Sequence, residues 1–326
     1  MEEQIIGVAD IGGTHARFAF ARVAAGHPPE LGPATILRVA EFAGLAEAWR
    51  AFLAGAPAPR AASLAVACPV RGDVLKFTNN PWRLRPAALA GELGVEDLLI
   101  VNDFGAVGHA VARLTPQDFV HVAGPKRPPP RPGAISVLGP GTGLGVALTL
   151  LDAHTHRVLE TEGGHAGFAP RDAFEDRLAA RLRARLGRVS VERIVSGPGL
   201  ADILATLREA DHSAEKAPAD DKALWEAAIS GSDPLARRAL DHFCACLGAV
   251  AGDIALTHGA NAIVLAGGLL PRFVDLLPRT GFAKALADKG RYAALMADLP
   301  VWLLTHPQPG LFGAAAAWAA RQSASA

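Results

Sequence analysis

Cysteine is scarce in this chain. Only Cys68, Cys244 and Cys246 occur among 326 residues. An odd, sparse set is a poor disulfide framework and reads as cytoplasmic. Cys244 and Cys246 stand two apart, so on a helix they would not share a face. All three read as small apolar core residues. The absence of a CxxC pair argues against a zinc module. Charge of either sign is also not in excess: 32 Lys and Arg balance 32 Asp and Glu. That balance gives no sign of a nucleic-acid or membrane-surface partner. A neutral chain can still bind phosphate locally through backbone N–H groups. The opening MEEQIIGVAD is acidic where a signal peptide would be basic, and it lacks a long apolar run. No uninterrupted apolar stretch of about 18 residues occurs, so no transmembrane helix is expected. The GxxxxGK[ST] phosphate-loop pattern is missing too.

What is present is apolar bulk and glycine. Half of the residues are hydrophobic, and the length suggests roughly two domains. Short apolar runs at 4–10 and 16–23 flank Gly12-Gly13 and predict a β-hairpin. A third strand is expected at 35–39 and a helix at 45–53, with Leu45, Ala48, Trp49 and Phe52 on one face. Strands at 63–67 and 98–101 alternate with helices at 84–93 and 104–114. Residues 124–133 (GPKRPPPRPG) cannot form a regular helix or central strand and read as a stiff connecting loop. A second hairpin follows, with apolar runs at 134–138 and 146–151 around GPGTGLG. Helical spacing then dominates at 171–186, 199–210 and 234–257. A buried strand at 262–266, a late strand at 301–304 and an Ala-rich helix at 311–320 close the pattern. Interleaved strands and helices define an α/β protein.

Six clusters carry candidate chemistry. Asp10-Ile11-Gly12-Gly13-Thr14 can bring backbone N–H groups and a hydroxyl onto phosphate oxygens. Asp10 could hold Mg²⁺ through water, because that ion keeps several waters. An ordinary hairpin turn with a solvated Asp fits the same residues. Gly139-Pro140-Gly141-Thr142-Gly143-Leu144-Gly145 has more glycine than a tight turn requires. It enters a strand rather than a helix, which disfavours a dinucleotide site. Asn102-Asp103 follows a strand and opens a helix. It reads as an N-cap, and equally as a carboxylate at the strand end where ligands bind in α/β sheets. Glu162-Gly163-Gly164-His165 could turn an acceptor and a tautomeric ring toward sugar hydroxyls, or could be a surface loop. Glu192 precedes Ser196-Gly197-Pro198-Gly199 and could serve a ligand, a cap or a surface ion pair. Gly267-Gly268, after Ala266, would let a flat ring or ribose approach the backbone, and close packing explains them as well.

Taken in order, these blocks resemble the bacterial glucokinase family of the sugar kinase, Hsp70 and actin superfamily. The resemblance runs through residues 10–17 (DIGGTHAR), 67–70, Thr78-Asn79 with Trp82, 100–104 (IVNDF), 139–145, 162–165, 190–193, 196–200 and 266–268, and it reaches Pro309-Gly310-Leu311. It implies an α/β fold of two actin-like (ribonuclease H-like) domains, with mixed sheets flanked by helices and an interdomain cleft. The smaller domain would comprise 1–113 plus 304–326, the larger 114–303. It further implies ATP-dependent phosphorylation of D-glucose, with another hexose or an amino sugar as the alternative substrate. Asp103 would be the catalytic base. Asn102, Asp103, Glu162, His165 and Glu192 would hold sugar hydroxyls, with Asn79 a further neighbour. Asp10, Gly12, Gly13, Thr14, Gly141, Thr142 and Gly143 would meet ATP phosphates, and Gly267 and Gly268 the nucleoside. Mg²⁺ at Asp10, a cytoplasmic location and a homodimer belong to the same implication. The family usually has Asn after Gly-Gly-Thr; here that position is His15.

Overall fold

The computed structural model describes residues 3–24, 26–212 and 220–324. β1 (Gln4–Ile11) and β2 (His15–Val23) pair antiparallel from Gln4↔Val23 to Ile11↔Ala16. β3 (Glu30–Leu31) and β4 (Thr35–Arg38) both pair with β2. α1 (Leu45–Leu53) leads to β5 (Ala61–Val66), parallel to β1. A small hairpin of β6 (Leu75–Lys76) and β7 (Arg83–Leu84) precedes α2 (Pro86–Leu93). β8 (Asp97–Asn102), parallel to β5, passes without a loop into α3 (Asp103–Arg113). Then come β9 (Phe119–Ala123), β10 (Gly133–Pro140), β11 (Leu144–Leu151) and β12 (His156–Thr161). Four helices follow: α4 (Ala173–Leu186), α5 (Gly199–Asp211), α6 (Asp221–Ser230) and α7 (Pro234–His258). β13 (Ala262–Leu265), α8 (Phe282–Ala287), α9 (Ala293–Ala297), β14 (Val301–Leu304) and α10 (Pro309–Ala324) complete the order.

The chain divides into two compact units. One holds 1–116, 149–160 and 306–326; the other holds 117–148 and 161–305. In the first, the sheet runs β3-β2-β1-β5-β8. All six residues of β5 are buried, as expected of a parallel strand covered on both faces. One face is covered by α1, whose Leu45, Ala48 and Trp49 are buried beside Phe18 and Leu64. The other is covered by α10, where Leu311, Ala314, Ala315 and Trp318 pack on Ile6, Val8 and Ala65. The Ser63 hydroxyl, fully buried in β5, donates to the Ala314 carbonyl at 2.7 Å. This satisfies a polar group that would otherwise be costly to bury.

In the second unit, β10, β13 and β14 run parallel and β9 closes that edge antiparallel. Its core centres on α7, with Leu240, Phe243, Leu247 and Ala251 buried. The Asp233 carboxylate caps α7 by accepting from the N–H groups of Leu235 and Ala236, Pro234 stands in its first turn, and Gly259 ends it in a left-handed conformation. By length and composition α7 could cross a bilayer, but 72% of its most apolar window is buried inside the protein. It is a core helix. Cys244 and Cys246 are buried free thiols on it, in keeping with the apolar role expected of them.

Most elements fall within a few residues of their expected bounds, and α1 and β14 coincide with them. The 124–133 stretch is indeed the connection from β9 to β10. Sequence patterns do not reveal β9, β12, α6, α8 and α9, nor the two-residue strands β3, β6 and β7. In β12 (HRVLET) polar residues occupy both faces, so no apolar alternation reveals it. Its alternate residues nonetheless pack on α3. His156 Nε2 lies 2.9 Å from His109 Nδ1, and Val158 lies against Gly108.

Two stability predictions follow from this packing. A Cβ added at Gly313 of α10 would fall 1.9 Å from the Ala106 carbonyl oxygen of α3. Backbone cannot swing aside as a side chain can, so Gly313→Ala should cost about 1–3 kcal/mol. Thermal denaturation should show a lowered Tm; an unchanged Tm would contradict this packing. Burial pushes the His109 imidazole down to about 3, with repulsion from His156 and Arg113 adding to it. The native ring therefore stays neutral where the unfolded one, titrating near about 6.5, takes up a proton. The contribution is intact above that value and is lost as pH falls through the window down to about 3. The slope is at most about 1.4 kcal/mol per pH unit. His109→Leu should flatten the pH dependence of unfolding free energy between roughly pH 6.5 and 5. Equal slopes for the two proteins would contradict the assignment.

Candidate active site

In the first unit, parallel pairing sets the site. Ile11 pairs with Val66, and Val66 pairs with Asn102. The carboxyl ends of β1, β5 and β8 therefore lie side by side, the position where α/β sheets bind ligands. Asp10, Cys68, Asn102 and Asp103 all belong to this edge.

Asp10 is directly opposite Arg17 across the hairpin, with Oδ2 and Nη1 3.5 Å apart. Burial raises its pKa, and Arg17 partly opposes that shift. Gly310, at the start of α10, packs on this carboxylate; a Cβ there would be 2.6 Å from Asp10 Cγ. The turn at Gly12, Gly13 and Thr14 is closed by the Gly12 N–H donating to the His15 carbonyl at 3.0 Å. Any residue at position 15 supplies that carbonyl, so the departure from Asn leaves the turn's closure intact. The buried Asn80 amide donates to the Gly12 carbonyl at 3.0 Å. Asn79 lies against Gly13, where an added Cβ would meet its Cβ and carbonyl oxygen at 3.0 Å. The structure thus places Asn79 beside the first glycine turn.

Asn102 is the N-cap of α3, as its sequence position allows. Its Oδ1 accepts from the N–H groups of Phe104 and Gly105, and its Nδ2 donates to the Cys68 carbonyl at 3.3 Å. This leaves Asn102 one amide hydrogen to offer a ligand. The half-buried Asp103 accepts from the Phe104 N–H at 2.9 Å. Burial, followed by the Asp103 charge, pushes the Cys68 thiol up to about 11. Cys68 is therefore no nucleophile at neutral pH.

In the second unit, three separated segments meet. Backbone bonds from Phe168 N–H to the Val189 carbonyl and from Val191 N–H to the Ala166 carbonyl join the 162–168 segment to 189–192. This brings His165 Nδ1 to 3.5 Å from Glu192 Oε1, and His165 Nε2 to 3.9 Å from Glu162 Oε2. Glu162 and His165 are each 60% exposed, Glu192 only 17%. Two carboxylates thus flank one imidazole, an array of acceptors and a tautomeric donor suited to adjacent hydroxyls. Glu192 occupies a single 3₁₀ turn whose N-cap, Ser190, makes no side-chain cap bond. The capping alternative is therefore not what the structure uses. Glu192 Oε2 also occupies the space beside Gly143, only 2.7 Å from where a Cβ would stand.

The GPGTGLG turn joins this array from the β10–β11 hairpin. Gly141 N–H donates to the Gly143 carbonyl at 2.8 Å, and the Gly141 carbonyl accepts from Gly197 N–H at 2.7 Å. Gly267 has φ of +89° and approaches the Pro140 carbonyl closely. Close packing explains its glycine directly. Thr142 belongs to the same turn, and Gly268 follows Gly267 with open space where a Cβ would stand.

Several participants escape sequence reasoning. Trp225 Nε1 donates to the Gly197 carbonyl at 3.0 Å, behind the residue that holds Gly141. Asn80, Gly105 and Gly310 also lie at these sites. Gly310 falls within the family-like Pro-Gly-Leu block, the one available signal; the others depend on contacts far apart in sequence.

Two α/β units, each bearing a glycine-rich hairpin turn, fit the two-domain actin-like fold. A solved glucokinase from an Antarctic psychrotroph matches with TM-score 0.84 and 31% identity, covering 96% of this chain and 98% of the other. A Balamuthia mandrillaris glucokinase, solved with glucose, shares the fold with TM-score 0.78 at 20% identity, over 98% and 94% of the two chains. Among curated proteins, a Zymomonas mobilis glucokinase is 50% identical over 316 residues, 96% of this chain and 97% of the relative. The glucokinase family model matches residues 8–321, and the chain belongs to that family.

Proposed function

We infer that this chain transfers the terminal phosphoryl group of ATP to the 6-hydroxyl of D-glucose, with Asp103 as the general base. The observation that carries the reading is the Asn102-Asp103 junction, a carboxylate held at the carboxyl end of β8 by the first turn of α3. Family membership supplies the substrates.

Phosphoryl transfer needs positioning and charge neutralisation more than covalent chemistry. The Gly12 and Gly141 N–H groups close the turns at 12–14 and 141–143, which offer their other N–H groups and the hydroxyls of Thr14 and Thr142 to phosphate oxygens. Gly268, with open space where a Cβ would stand, leaves the backbone beside Gly267 bare for the nucleoside. Glu162, His165 and Glu192 accept from and donate to sugar hydroxyls, joined by the remaining amide hydrogen of Asn102. Asn79, beside the first turn, would assist there. Asp103 takes the proton as the 6-oxygen attacks the γ-phosphorus; the bond to the β,γ-bridging oxygen breaks, and ADP leaves.

Among the described residues no group of three or more metal-ligating side chains gathers, and Asp10 presents a single carboxylate. That donor set suits Mg²⁺, which keeps most of its waters and binds through one or two carboxylates plus substrate phosphates. Asp10 would hold the ion through water, and the ion would offset charge on the β- and γ-phosphates.

Asp103→Asn should lower kcat by about 10²–10⁴-fold, while calorimetry still detects glucose binding. A retained kcat would remove Asp103 from this role. Epimers should be poor substrates, because inverting one hydroxyl carries it away from its carboxylate partner and leaves that group unsatisfied at about 1–3 kcal/mol. The kcat/KM for mannose and galactose should accordingly fall roughly tenfold to a hundredfold below that for glucose. Comparable values across the three would point to a broader hexose kinase.

A further inference from the structure

We propose that Glu160 is a positioning residue for the base: its carboxylate fixes the backbone from which Asp103 projects. The proposal rests on the reading of Asp103 given above and adds to it a residue outside the substrate-binding set.

The argument begins with the start of α3. A helix N-terminus leaves its first N–H groups without intrahelical partners. The common reciprocal solution is a capping box. The N-cap side chain accepts from the N–H at the third helical position, and a Glu or Gln at that position reaches back to the N–H of the N-cap residue. Here the first half is present: Asn102 Oδ1 accepts from Gly105 N–H at 3.3 Å, as well as from Phe104 N–H at 2.9 Å. The second half is impossible in cis, because the third position is Gly105 and has no side chain. Glu160 supplies it from β12. Its Oε1 accepts from the Asn102 N–H at 2.7 Å, a short, charge-assisted bond. The carboxylate occupies the room that a side chain at position 105 would need. A Cβ built there would lie 2.6 Å from Glu160 Oε1, 2.7 Å from Cγ and 3.0 Å from Cδ.

The placement of Glu160 follows from the strand. His156, Val158 and Glu160 alternate along β12 and so share one face. Along α3 they meet His109, Gly108 and the Asn102–Gly105 turn in succession. Thr149 adds a bond from its hydroxyl to the Gly108 carbonyl at 3.0 Å. Glu160 is the last rung of this ladder, the one next to Asp103. Without it, the Asn102–Asp103 peptide keeps its cap but loses the anchor on its outer side, and the base is held less firmly at the angle proton transfer requires.

The test is a set of steady-state measurements on the full chain, with kcat expressed per folded molecule. Glu160→Ala should lower kcat about tenfold, leave the KM for ATP within about twofold, and leave the folded fraction near that of the parent. Glu160→Gln keeps an oxygen that accepts from Asn102 N–H and should recover most of the loss. Gly105→Ala should reproduce the Glu160→Ala defect by displacing the carboxylate, although Ala is the better helix former. Added to Glu160→Ala, it should cost little more, because both changes act on the same space. A merely structural role would lower the folded fraction and leave kcat per folded molecule unchanged. Glu160→Ala with kcat within about twofold of the parent, or additive losses in the double variant, would overturn the proposal. Asp103→Asn separates the failures. If it is inactive while Glu160→Ala is normal, only the role of Glu160 falls. If it keeps kcat, the base falls and Glu160's role falls with it.

Discussion

The structure depends on one junction. β8 ends at Asn102 and α3 begins at Asp103 with no loop to absorb error. Parallel pairing with β5 fixes where that junction lies, because Val66 and Asn102 are in register. The cap formed by Asn102 then sets the direction in which the next residue leaves the strand. A carboxylate placed by a sheet and a helix together has little freedom, and rigid placement is what a general base requires. Around this point the first unit is built tightly. α10 covers the sheet and bears on α3 at Gly313 and on Asp10 at Gly310. β12 bears on α3 at Gly108 and Gly105.

The second unit solves a different problem. Its three polar residues, Glu162, His165 and Glu192, lie in or beside short 3₁₀ turns rather than on a long helix or strand. Backbone hydrogen bonds between 166–168 and 189–191 supply the missing scaffold. The second glycine turn is held by the same logic, through Gly197 and then Trp225. Polar side chains on loops need support from behind to hold their positions, and here that support is mostly backbone. Glycine is used where chains must touch, as at Gly143 under Glu192 and at Gly267 under Pro140.

Much of this was legible in the residues. Apolar runs around Gly12-Gly13 and around GPGTGLG marked both hairpins, and Leu45, Ala48 and Trp49 marked α1 by their spacing. The order of short blocks from Asp10 to Gly268 pointed to the family that the comparisons establish. What remained hidden depends on tertiary contact. Glu160 filling the space beside Gly105, Asn80 holding the Gly12 carbonyl and Trp225 reaching Gly197 join residues 28–68 positions apart, or more in other cases such as Gly310 and Asp10. Nothing local distinguishes them. β12 stayed hidden because the residues it turns toward α3 include a histidine and a glutamate, so that face looks polar. The segment 149–160 groups with the first unit through packing on α3, which no pattern within those residues encodes.

The central claim is that phosphoryl transfer to a hexose alcohol is the reaction this arrangement serves. Its most direct measurement is the stoichiometry of ADP release in the presence and absence of glucose. The account predicts negligible ADP without the sugar and, with it, one ADP for each glucose 6-phosphate formed. Sustained ADP release without sugar, or ADP formed with no phosphorylated glucose, would contradict it.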